Sequence, residues 1–218
     1  WLLISGPSSN RFQNKWNFSG VGQAGLNAIN NITRQGGGED MGLNMGNVGF
    51  YTFVMRDAGY NNSEVYIGYT SAAPVTVSLS GQSFSNGQPV ISISTNNTPS
   101  ANENIYVRYR VGTNNFTTNT SLVQATGSGT SWTATLPTQN CNTTVFYYIF
   151  TSTRNLSELN GDSEQNRSLA TLRYDDNFGS NYSFSISQSS AAILSGDATI
   201  CSGESSALQV SITGGLSP

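Results

Sequence analysis

The chain has 218 residues, of which 10% are charged, with no histidine and a formal net charge of −3. That length allows two small domains with cores of their own. The weak negative balance supplies no basic stripe to neutralise phosphates, so nucleic acid is a poor partner. Without histidine, neither a Ser-His-Asp nor a Cys-His constellation can form within these residues. No apolar run of about 18 residues offers a membrane-spanning helix.

In chain order, the first unit covers residues 1–73, with strands expected at 1–5, 15–21, 28–34, 48–56 and 64–70. The opening Trp1-Leu-Leu-Ile reads as an internal strand rather than a signal peptide, so a cut from a longer polypeptide is expected. Gly36-Gly-Gly-Glu-Asp-Met-Gly42 is a loop in which glycines permit tight reversal. In Phe50-Tyr-Thr-Phe-Val-Met-Arg56 both alternating sets are largely apolar, as in a central strand. Ala72-Ala-Pro74 reads as a short, stiff hinge, because proline restricts itself and its predecessor.

The second unit covers residues 74–187. Its strands are expected at 75–79, 90–95, 105–111, 122–126, 131–136, 144–152, 169–174 and 182–186. In Ile105-Tyr-Val-Arg-Tyr-Arg-Val111 the apolar side chains at 105, 107, 109 and 111 fall on one face, and Tyr106, Arg108 and Arg110 on the other. Short strands with turn signals every 8 to 15 residues or so fit an immunoglobulin-like sandwich. The fold class is therefore all-β: tandem β-sandwiches, the second immunoglobulin or fibronectin-III-like. Residues 188–218 read as the start of a further repeat. No long amphipathic helix is expected.

Cys141 and Cys201 are the only cysteines and match no metal motif. Cys141 reads as a free or loop thiol, Cys201 could pair beyond residue 218, and a bridge between the two stays open.

Three kinds of site are weighed. Paired carboxylates could serve glycoside hydrolysis, with Asp57, Glu64, Asp175 and Asp176 as candidates, but their surroundings read as turn chemistry. Asn160, Asp162 and Glu164 place oxygens at alternating positions, as a calcium loop does, although the EF-hand spacing is absent; structural Ca²⁺ would be the only cofactor. Glu39, Asp40 and Asn44 form a weaker set. Trp16, Tyr51 and Tyr60 beside Asn side chains could stack on sugar rings, or they could fill a small core.

The segments Gly49-Phe-Tyr-Thr-Phe-Val-Met-Arg-Asp-Ala-Gly-Tyr, Asn104-Ile-Tyr-Val-Arg-Tyr, Thr144-Val-Phe-Tyr-Tyr-Ile-Phe and Gly179-Ser-Asn-Tyr-Ser-Phe resemble, in that order, a tandem module of large secreted or surface-anchored Bacteroidota proteins. Those proteins are exported by the type IX secretion system. The tail from Ile200-Cys-Ser-Gly-Glu resembles the start of an Ig- or PKD-like repeat, whose opening cysteine pairs near that repeat's far end. The resemblance covers about residues 50–218 and implies compartment and architecture rather than activity. It implies a non-catalytic, adhesin-type stalk or display module, partnered by neighbouring domains of the same polypeptide and by polysaccharide or cell-surface glycan. The alternative is a carbohydrate-binding module attached to a secreted polysaccharide-degrading enzyme.

Trp132 alternates with Ala134 and Leu136 and is expected inside the second sandwich with Val107, Tyr109, Val145, Tyr147 and Ile149. On that reading Trp132→Ala costs roughly 3–5 kcal/mol in chemical denaturation, and Phe116→Ala far less.

Overall fold

The computed structural model describes residues 3–4, 15–18, 23–35, 42–58, 62–85 and 87–186. The expected repeat at 188–218, with Cys201, lies outside them, as do Trp1, Glu39, Asp40 and Tyr60. The strands are β1 (Leu3–Ile4), β2 (Lys15–Phe18), β3 (Ala28–Gln35), β4 (Phe50–Arg56), β5 (Ser63–Thr70), β6 (Val77–Ser85), β7 (Gln88–Thr95), β8 (Asn104–Val111), β9 (Ser121–Gln124), β10 (Thr126–Ser128), β11 (Ser131–Thr135), β12 (Thr143–Ser152), β13 (Arg173–Asp175) and β14 (Tyr182–Ile186). Two short helices, α1 (Leu156–Gly161) and α2 (Glu164–Leu169), lie between β12 and β13. The fold is all-β. No described helix is long and apolar enough to cross a membrane.

β1 to β5 form one antiparallel sheet in the order β1-β2-β3-β5-β4. Successive strand residues point to opposite faces, and both faces of this sheet acquire cores. Trp16, Ile32, Val65 and Ile67 are buried on one side, while Tyr66 is buried on the other. The second unit is a sandwich of two antiparallel sheets, β10-β11-β7-β6 against β9-β8-β12, with β13 and β14 both on the far edge of β12. Its core holds Ile91, Ile93, Ile105, Val107, Tyr109, Ala134, Val145, Tyr147 and Ile149. This is the expected immunoglobulin or fibronectin-III-like arrangement, and the expected core strands lie in it.

The outer face of the β8–β12 sheet is also covered. Tyr106 and Phe150 stack at 5.3 Å and are buried with Leu159 of α1, Leu169 of α2, Leu172, and Tyr66 from β5. One apolar layer therefore belongs to the first sheet, the helix pair and the sandwich together. Polar contacts reinforce it: Thr153 Oγ1 donates to Asn27 Oδ1 at 2.8 Å, and Tyr66 hydroxyl bonds Thr153. The 72–74 segment is held rather than free, because Ala72 N–H donates to Ser100 Oγ at 3.1 Å and Asn102 Nδ2 to Tyr69 O at 2.7 Å.

Four local expectations change. The strand expected at 169–174 shrinks to Arg173–Asp175 because α2 absorbs Leu169. Cys141 is disulfide-bonded, not a free thiol, and its partner lies outside the described residues. Trp132 sits at the start of β11 beside the Gly129 turn, so its ring is only half-buried against the core, with Nε1 donating to Gly129 O at 3.1 Å. Phe116 is not a bare loop residue: it packs on Tyr148 at 5.2 Å and lies 5.9 Å from the Arg108 guanidinium. The gap between the two truncation costs is therefore narrower than strand alternation alone implies.

Gly68 marks how closely the first sheet approaches the helix pair. A Cβ there would lie 2.5 Å from Leu172 Cδ2 and 3.1 Å from Tyr66 Cε1. Gly68→Ala should cost about 1–3 kcal/mol by overpacking. Gly161→Ala, which meets nothing within 4 Å, should stabilise by about 0.4–1 kcal/mol. Urea midpoints of the two variants check the pair, and equal effects would mean the layers are not in contact at Gly68.

Candidate functional site

The sequence read Arg108 as one of the polar residues opposite the β8 core face. It is instead the largest fully buried side chain among the described residues, at 1% exposure. A guanidinium offers five N–H donors in a fixed fork, and here every one finds an acceptor. Nε donates to Thr120 Oγ1 at 2.9 Å. Nη1 donates to Tyr148 hydroxyl at 2.7 Å and Ser168 Oγ at 3.0 Å. Nη2 donates to Phe116 O and Glu164 Oε2, both at 2.8 Å. The rings of Phe116 and Tyr148 lie within 6 Å of the charge, a cation–π distance.

Glu164, the first residue of α2, is the counter-charge. Its Oε1 accepts the Thr120 N–H at 2.7 Å, and Oε2 also accepts from Thr120 hydroxyl and Arg167 Nη1. Burial alone pushes this carboxyl up. The Thr120 bonds and the two guanidiniums outweigh it and hold the group below the ordinary carboxylate range. Asp162 is paired with Arg154 at 2.9 Å, and there burial wins and the carboxyl is raised. Asn160 lies in α1, not in a loop. Two of the three expected calcium ligands are thus engaged by arginines, and among the described residues no cluster of three or more His, Cys, Asp or Glu could hold a metal ion.

The expected helix-free loop at 160–166 is two capped turns. Asn155 and Glu158 form a capping box, with Glu158 N–H on Asn155 Oδ1 at 2.9 Å and Asn155 N–H on Glu158 Oε2 at 2.8 Å. Ser163 caps α2 by accepting the Asn166 N–H. Asn155-x-x-Glu158 was the sequence signal that could have found them.

The aromatic candidates separate. Trp16 is 3% exposed in the first sheet's core, the core-filling outcome rather than a ligand platform. Tyr51 leans on Tyr69 at 5.1 Å and donates to Asn47 O. Tyr60 lies outside the described residues. Three of the four carboxylate candidates, Asp57, Glu64 and Asp175, are likewise occupied. Ser63 hydroxyl donates to Asp57, and Glu64 pairs with Arg56. Asn44 Oδ1 accepts the Gly46 N–H. Asp175 accepts Leu79 N–H at 3.1 Å and the Tyr182 hydroxyl; burial, with that carboxylate beside it, pushes the Tyr182 hydroxyl up to about 12.

A groove of about 460 Å³ opens above the Arg108 cluster, with Phe116, Tyr148 and Tyr174 among its walls and Thr171, Asp176 and Asn181 among its polar groups. One side is closed by Val54 of β4, so the first sheet helps to build it. Sequence reasoning missed this site because its residues come from separate elements. Comparison with family models, with curated proteins and with solved structures returned no match.

Removing one partner of a buried ion pair strands the other. Arg108→Leu should therefore cost about 3–5 kcal/mol in urea denaturation. Two carboxylates should give opposite pH slopes. Glu164 is depressed in the fold, so its stabilisation is present above the unfolded carboxyl value of about 4.3 and is lost as pH falls through the lower folded value. Glu103 is 4% exposed, with Oε1 accepting the Val75 N–H at 3.0 Å; burial outweighs its hydrogen bonds and raises it. Its ionised form opposes folding above the raised value, and the penalty lifts as pH falls through it. Glu164→Gln should flatten the acid loss of stability, and Glu103→Gln should raise stability at pH 7. Urea midpoints against pH would show both, and parallel profiles would refute the assignment.

Proposed function

We propose that the chain is a non-catalytic, adhesin-type stalk or display module of a larger secreted or cell-surface protein. The observation that carries this reading is the apolar layer shared by the first sheet, α1, α2 and the sandwich. Two β-units that bury one layer between them transmit orientation and force as one body, which suits holding a neighbouring domain at a distance. Free hinges allow relative motion by default, unless the contact is large and apolar. The disulfide at Cys141 supports an oxidising compartment, since such bonds persist in exported proteins and are rare in reducing cytosol. Solubility drawn from Asn, Ser, Thr and Gly agrees with export, and the resemblance to Bacteroidota surface modules supports the type IX route. Its partners would be the domains on either side.

Two measurements test the reading. Trp16 reports on the first sheet and Trp132 on the sandwich, so single-tryptophan variants should unfold at one shared midpoint. Separate midpoints would remove the stiff-module argument. Reduction should lower stability by about 2–4 kcal/mol, and antibody should label intact, unpermeabilised source cells or their medium. A cytoplasmic pool with reduced cysteines would overturn the export reading.

A further inference from the structure

β13 and β14 lie along the same edge of β12. Asp175 faces Ile149, whereas Tyr182 faces Tyr147. An unbroken antiparallel ladder would place those two positions only two residues apart. Residues 176–181 are therefore an excursion inserted into the last strand. Asn177, Phe178 and Asn181 all have φ between 54° and 56°, and Gly179 has φ 84°. Left-handed backbone is unfavourable for a bulky residue such as phenylalanine, and strain of that kind gathers at ligand sites. Phe178 is nevertheless held at 104% exposure, and Tyr174 at 62%. The excursion supplies Asp176 and Asn181 to the groove above Arg108.

We propose that this groove binds a neutral saccharide. Its size falls within the roughly 300–1,000 Å³ of small-ligand sites. The rings of Phe116, Tyr148 and Tyr174 offer faces for sugar C–H groups, and polar capacity remains between them. Asp176 uses Oδ1 for Gly179 N–H at 3.0 Å and keeps its second oxygen unpartnered among the described residues. Asn181 donates Nδ2 to Asn114 Oδ1 at 2.7 Å, its backbone carbonyl accepts from Asn177, and its side-chain Oδ1 has no partner among the described residues. Tyr148 hydroxyl accepts from Arg108, which leaves its own proton to donate. Charge decides against an anion: Arg108 has all five donors filled and Glu164 beside it, so Asp176 meets the ligand without a cation to offset it. A hydroxyl-rich neutral ring supplies both donors and acceptors to this set. The inference is independent of the display reading, since a stiff module serves with or without a ligand.

The test is an amide NMR titration of the full ¹⁵N-labelled chain with neutral gluco-, xylo-, manno- and galacto-oligosaccharides. At least one series should shift residues 114–117, 148 and 171–181. Tyr174→Ala should weaken binding by about tenfold with an unchanged melting point. No shift from any series, or shifts centred on Tyr51, overturns the proposal. So does binding that survives Tyr174→Ala. A groove that responds to an aromatic peptide and to no saccharide overturns it in favour of a protein contact.

Discussion

A guanidinium taken out of water must recover its hydration from fixed groups, and Arg108 sets the terms for much of the structure around it. Desolvation of an unpaired ion costs several kcal/mol, so all five N–H groups need acceptors in the fork geometry. No single element can supply them. The 113–120 loop bends back to provide Phe116 O and Thr120 Oγ1, α2 provides Glu164 and Ser168, and β12 provides Tyr148. Three segments distant in sequence are thereby fixed on the outer face of one sheet. A partly satisfied network would be worse than an apolar one, which ties the position of α2 closely to this charge.

The helix pair in turn decides where the first sheet can sit. Six-residue helices are too short to persist on propensity alone; caps at Asn155 and Ser163 and burial of Leu159 and Leu169 hold them. Leu172, next to α2, then meets Tyr66 and Gly68 of β5, where the absent Cβ permits close approach. The order of dependence runs from a buried charge, to a capped helix, to an apolar layer between two sheets. Asp175 works similarly at the sandwich's edge, where its carboxylate takes the Leu79 N–H just before the register shift in β6.

Strand alternation made the fold legible. The inner faces of β8 and β12 were readable because Ile105, Val107 and Tyr109, and Val145, Tyr147 and Ile149, repeat with period two. What escaped was the environment of the opposite face. Periodicity shows that Arg108 points away from Val107, but a solvated and a covered face have the same alternation. The mixed run of β12, with aromatics on both faces, was the one hint of a covering layer. Trp16 illustrates the converse, since an aromatic beside asparagines looks the same whether it stacks on sugar or fills a core. The groove was not legible because Val54, Phe116 and Tyr174 meet only through tertiary packing.

The groove and the buried charge are two sides of one construction. Neutralisation by Glu164 and occupation of every donor make Arg108 electrostatically quiet toward the groove, while its bond to Tyr148 fixes that hydroxyl's orientation. A rigid floor of this kind lowers the ordering cost that a ligand would otherwise meet on binding. The strained excursion at 176–181 is anchored at both ends, by Asp175 on Leu79 and Tyr182 and by the β14 ladder to β12. Strain survives where the surroundings over-determine it. The fold thus meets that requirement on both flanks of Phe178, while leaving the ring itself in water.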